Sequence, residues 1–107
     1  MTTLINIAEK IGKDNPAIKV LLSNYSMDKL FDTLPKFIID EEKMIEHHMD
    51  LRVIPSSSIY ELRYVKKGHE ALLLMHGPDL RQVLINIIID IIEFRLNNKN
   101  FICNNEF

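Results

Sequence analysis

Apolar positions in the first part of the chain recur at helical spacing. Leu4, Ile5, Ile7, Ala8 and Ile11 form one such stripe, with Thr3 placed to cap it and Gly12 to stop it. Asn15-Pro16 has the form of a second start, a capping side chain followed by a residue with a pre-set φ, and Ile18, Leu21 and Leu22 supply its apolar side. Ser26 opens a third helix carrying Leu30, Phe31 and Leu34, which Pro35 ends. After Phe37-Ile38-Ile39, Asp40 is read as the cap of a fourth helix whose inward positions are Met44, Ile45, His48 and Leu51.

The pattern then changes period. Arg52-Val53-Ile54 is short and β-branched, Pro55-Ser56-Ser57-Ser58 is a loop, and Ile59–Val65 alternates, with Tyr60, Leu62 and Tyr64 on one face. These segments predict a two-stranded ribbon. His69 to Met75 fits two forms: a third strand after a Lys67-Gly68 turn, or a short helix. Glu, Ala, Leu and Met without β-branching favour the helix. Gly77-Pro78-Asp79 breaks the chain and starts a long helix, 79–98. At roughly 100° per residue its polar positions Gln82, Asn86, Asp90, Glu93 and Asn97 share an arc of about 80°. Most of the remaining circumference is Leu, Val, Ile and Phe, so the helix must be covered on most sides. A short chain has little to cover it with, and a second copy is the expected cover, through Val83, Leu84, Ile87, Ile88, Ile91 and Ile92. The Asn-rich end, 99–107, reads as a flexible tail onto which Phe101 and Ile102 can dock.

At 107 residues the chain is one domain with one core, 1–98 without the tail. A lone cysteine, Cys103, has no internal disulfide partner, and the first residues show no basic stretch leading into an apolar run. Both fit a cytoplasmic protein. Asn86 and Asp90 interrupt the long helix, whose Ile87-Ile88-Ile89 run is far below the roughly 20 residues of a membrane span.

The order of helices, ribbon and terminal helix resembles a winged helix-turn-helix domain. Leu30-Phe31-Asp32-Thr33-Leu34 with the helix of Met44, Ile45, His48 and Leu51 resembles the helix-turn-helix pair. Leu51-Arg52-Val53-Ile54 is similar to that family's passage from recognition helix into the first wing strand. Tyr60 to Leu72, through Val65-Lys66-Lys67-Gly68-His69-Glu70, looks like the second wing strand and following helix of MarR- and PadR-type regulators, with Val65-Lys66 where Leu-Thr is usual. A second alignment places the pair at Ile7-Ala8-Glu9-Lys10-Ile11-Gly12 with Ile18 and Leu21. The fold implied is α+β: a mostly helical winged-helix-like domain with a small antiparallel β-ribbon and a long apolar C-terminal helix that makes a homodimer.

Charge qualifies the DNA-binding role this resemblance implies. Segment 40–50 is net −4, whereas 1–39 is net +1 and 51–81 net +2. A helix that acidic is repelled by a duplex. Phosphate contacts therefore fall to Arg52, Arg63, Lys66 and Lys67 of the wing and to Lys36, with Lys43 and His47 on the recognition helix. The rival class is a protein-binding module, an inhibitor or adaptor, that sets Glu42, Glu46 and Asp50 against a basic partner. Enzyme chemistry is not expected. Adjacent His47 and His48 point to different sides, His69-Glu70 starts a zincin pattern that Leu73 breaks, the serines lack elbow glycines, and three glycines make no phosphate loop. No metal or cofactor is expected.

Overall fold

Three short helices open the chain, two of them with the side-chain caps the sequence implies. In α1 (Leu4–Ile11) Thr3 Oγ1 accepts from the Asn6 N–H at 3.2 Å, and Gly12 closes the helix at φ +91° with its N–H on Ala8 O. α2 is Pro16–Ser23. In α3 (Met27–Thr33) Ser26 Oγ accepts from Lys29 N–H at 3.1 Å. The computed structural model describes residues 3–12, 16–98 and 100–103; the expected cap Asn15 and residues 104–107 of the expected tail lie outside them.

From Phe37 onward the winged-helix expectation fails. The next elements are strands: β1 (Phe37–Asp40), β2 (Ile45–Ile54), β3 (Ile59–Val65) and β4 (Leu73–Gly77). Helix α4 (Leu80–Asn97) follows, then β5 (Phe101–Cys103). The strands make one antiparallel sheet in the order β4-β3-β2-β1-β5, curved into a half-barrel, in place of a small ribbon on a helical body.

The expected recognition helix, 40–51, is a turn and a long strand. Asp40 does accept backbone N–H groups as a cap would, from Glu42 at 3.0 Å and Lys43 at 3.2 Å. Only the tight β1–β2 turn follows, with Met44 left-handed at φ +57°. The true period is 2. Ile45, His47, Met49, Leu51 and Val53 point to one face, Glu46, His48, Asp50 and Arg52 to the other, and β1 and β3 pair on both sides. The helix expected at His69–Met75 is likewise replaced, by β4 from Leu73. Good helix formers yield there because the ladder to β3 satisfies the backbone while Leu73 and Met75 pack against the core. The Arg52-to-Val65 hairpin does form, in the register Arg52↔Glu61 to Ile54↔Ile59, around the Pro55–Ser58 loop.

Helix α4 explains the composition of its segment. Asp79 caps it, accepting from Gln82 N–H at 3.3 Å. It lies against β3 and β4 on one side and against α1, α2 and α3 on the other. A helix sandwiched in this way has no wide solvent face, so its buried residues, Val83 to Ile92, span about 200° of its circumference. Gln82, Glu93 and Asn97 are exposed, Asn86 and Asp90 half-buried. Long-range hydrogen bonds tie the layers together. Tyr64 Oη donates to Pro35 O at 2.6 Å, and Arg81 Nη1 donates to Tyr25 O at 2.6 Å. At the other end Phe94 and Phe101 meet edge-to-face at 4.6 Å, docking β5, so the expected tail carries a strand.

Candidate functional site

The sheet has two unlike faces. Its inner face carries the core: Ile38, Leu62 and Tyr64 are fully buried there, beside half-buried Met49, Leu73 and Met75, while Leu51 and Val53 toward the end of β2 are exposed. Alternation puts Phe37, Ile39, Glu46, His48, Asp50, Arg52, Glu61, Arg63, Val65, Leu74, His76 and Ile102 on the outer face. Among the described residues no helix packs on that face, and His48, Arg52, Leu74, His76 and Ile102 are exposed.

Across β2 and β3 the outer face carries a ladder of alternating charge. Arg52 Nη2 lies 2.6 Å from Glu61 Oε1, and its Nε donates to the same oxygen at 2.8 Å. Arg63 Nε donates to Asp50 Oδ2 at 3.0 Å and lies 3.9 Å from Glu61 Oε1. Two cations and two anions thus compensate one another. Such partly exposed pairs contribute only about 0–1 kcal/mol each to stability, but they set the surface potential. The two arginines expected to hold phosphate are already matched by carboxylates.

The remaining expected site residues are scattered. Lys43 is in the β1–β2 turn with Glu41 and Glu42, and Lys66 and Lys67 are in the β3–β4 connection, all exposed. Lys36 is exposed just before β1, its carbonyl accepting from Met49 N–H. His47 points inward and is buried, so it cannot reach a groove, and its Nδ1 finds no hydrogen-bond partner among the described residues. Of the acidic set, Glu46 lies 3.5 Å from His48 Nε2, Asp50 holds Arg63, and Glu42 accepts from Asn100 Nδ2 at 3.3 Å. They are presented by a turn and a strand, Glu42 from the β1–β2 turn and Glu46 and Asp50 from β2, in place of the expected acidic helix. Val83, Leu84, Ile87, Ile88, Ile91 and Ile92, expected between two copies, are 0–2% exposed within the single chain, so the helix needs no second copy to be covered.

The outer edge of the sheet opens onto a different feature. Leu73, the first residue of β4, lines a cleft of about 290 Å³ with Asp90, Glu93, Phe94, Asn97 and Asn98 of α4 and its end. Partial burial, and then the neighbouring Glu93 charge, push the Asp90 carboxyl above its ordinary range. On the inner face burial pushes the Cys103 thiol up, with the charge and hydrogen bond of Arg95 pulling partly against it. A thiol held in that direction is not an activated nucleophile. Among the described residues no three His, Cys, Asp or Glu side chains gather as metal ligands, and no helix is long and apolar enough to cross a membrane.

The sequence reading missed the cleft because Asp90 and Glu93 belong to a polar stripe expected to face water, and Leu73 to an expected helix. No family model, curated protein or solved structure matches the chain.

Proposed function

We propose that this protein acts by binding another protein, through the outer face of its sheet. The observation that carries this reading is the composition of that face. Phe37, Ile39, Val65, Leu74 and Ile102 surround a charge ladder that is internally compensated, so an apolar contact can form over it without stranding an unpaired charge. A duplex regulator is the competing reading. It draws less support, because Arg52 and Arg63 are engaged by Glu61 and Asp50, and phosphate binding needs cations whose counterions are released.

Two folded variants separate the readings. Ile39→Lys with Val65→Glu alters the outer face, and Val20→Glu alters an exposed position of α2. Cross-linking in the native extract should give a defined product that the first variant loses and the second keeps. Identical products from both would sink the proposal. A duplex shift that falls steeply with salt and disappears in Arg52→Ala/Arg63→Ala would replace it with DNA binding.

A further inference from the structure

We infer that two copies of this chain pair antiparallel through the free edges of their β4 strands, about a two-fold axis at Met75, in a weak and concentration-dependent dimer. The inference does not rest on the preceding proposal. It joins two sheets edge to edge, so that their outer faces lie side by side.

β4 has β3 on one side and, among the described residues, no strand on the other. The parity of the ladder fixes which backbone groups are open. Leu72 N–H donates to Tyr64 O, so Tyr64, and with it Leu62 and Tyr60, turns its polar groups toward β4. These meet Leu73, Met75 and Gly77, which leaves the N–H and C=O of Leu74 and His76 aimed away from the sheet. Natural edges are commonly blunted by lysine or proline; Leu-Leu-Met-His-Gly contains neither, and no Arg, Asp or Glu. Leu74 is 45% exposed. The opposite edge, β5, is a strand of only three residues.

Self-complementarity selects a second copy as the occupant. Centred on Met75, an identical antiparallel strand sets the open groups of Leu74 opposite those of His76 in the copy, and the two-fold repeats the pair. Every outward N–H and C=O of the strand then finds a partner. Leu74 packs beside His76 of the copy on the outer face. Met75 meets Met75 on the inner side, in a pair without mutual hydrogen bonds whose Cα atoms stand about 4.5 Å apart. Gly77 of the copy lies opposite Leu73 and brings no side chain against the cleft there. Charge does not oppose the pairing. The two Leu73 residues, each with its acidic cleft, are separated along the strands by roughly 14 Å, beyond a Debye length of about 8 Å. Little apolar surface is covered, chiefly Leu74 and Met75, far below the roughly 1,200 Å² of a stable interface. A dissociation constant on the order of 100 µM is expected, so the chain is a monomer at low micromolar concentration.

Sedimentation equilibrium of the full chain from about 10 µM to about 1 mM should show monomer giving way to dimer. His76→Pro removes an outward N–H and no bond to β3, where an edge strand tolerates proline, and should weaken the dimer by roughly tenfold or more. Leu74→Lys, which puts like charges at the paired edge, should do the same. Circular dichroism at about 10 µM, where the chain is monomeric, shows whether each variant is folded. Ile39→Lys with Val65→Glu, on the outer face away from this edge, should leave the dimer unchanged. In a Cys103→Ser background, Met75→Cys should cross-link two copies on mild oxidation and Val20→Cys, on α2, should not. A monomer at about 1 mM, a dimer indifferent to both folded edge variants, a dimer lost through Ile39→Lys with Val65→Glu, or equal cross-linking of the two cysteine variants overturns the inference. The outer-face proposal is read separately, from the cross-linked product in the native extract.

Discussion

Replacing Met44 by glycine should stabilise this protein, and the sign of the effect distinguishes a turn from a helix. Met44 closes the β1–β2 turn at φ +57° with its side chain 82% exposed, so little packing is lost on truncation. A left-handed conformation costs an ordinary L-residue roughly 1–2 kcal/mol, which glycine does not pay. Glycine's greater freedom in the unfolded chain returns about 0.4–1 kcal/mol of that gain. The net expectation is a stabilisation of about 0.5–1 kcal/mol. For a domain of this size each kcal/mol moves the thermal midpoint by roughly 4–8 °C, so the midpoint should rise by about 2–8 °C. Were 40–51 a helix, the same replacement in its first turns would cost up to about 1 kcal/mol. Calorimetry or thermal circular dichroism reads the difference directly, with Met44→Asn expected to rise as well and Met44→Val to fall. A lower midpoint for Met44→Gly would refute the assignment of the turn and with it the register of β1 against β2.

Four further outcomes follow from the same geometry. Ile88→Ala removes three buried carbons between the sheet and the helical layer, about 2.4 kcal/mol in transfer and more with the cavity, within the usual 2–5 kcal/mol range. Urea midpoints independent of protein concentration would place that loss inside one chain, and a concentration-dependent midpoint would return these residues to a dimer interface. Tyr64→Phe leaves the Pro35 carbonyl without its buried donor and should cost about 1–3 kcal/mol, measured by denaturant unfolding. Asp90→Asn should stabilise at neutral pH: the folded carboxyl is raised by burial and by Glu93, so charging it on the way up through the folded pKa loses stability that is present below the unfolded pKa. The advantage of the variant should fade as pH falls below the ordinary carboxylate range, and an advantage constant with pH would contradict that cause. Arg63→Ala should change the unfolding free energy by under about 1 kcal/mol, since Asp50 is well exposed and the more buried Glu61 keeps Arg52 as its partner; a larger loss would show that the ladder is structural.

The sequence made the helix ends legible where one side chain decides them, as Thr3 and Ser26 do, while Asp79, expected within the first turn of the long helix, is instead its cap. It also showed the hairpin, because Ile59–Val65 alternates without ambiguity. The error at 40–51 has a definite origin. An aspartate accepting the next N–H groups makes the same local bonds in a helix cap and in a tight turn, so Asp40 cannot announce which follows. The helical reading also needed His48 inward. Taking His47 as the inward histidine yields Ile45, His47, Met49, Leu51 and Val53 at strict period 2, the pattern the strand obeys. For β4 the Lys67-Gly68 turn did offer a strand, but Glu, Ala, Leu and Met without β-branching favoured a helix, and only the ladder to β3 decides between the two. The same misassignment concealed the cleft, which exists only when Leu73 is brought alongside Asp90 and Glu93.

The central position of α4 also sets the order in which the chain can fold. Helices α1, α2 and α3 find their main cover on α4, whose residues come roughly fifty to ninety positions later in the sequence. A ribosome releasing the chain from its N-terminus therefore emits three amphipathic helices with nowhere to bury their leucines and isoleucines until Leu80–Asn97 has emerged. The β1–β3 meander, built from neighbouring segments, can form first and wait. Chains arrested before α4 should thus be soluble only with a chaperone's help, and release of that help should coincide with emergence of the long helix.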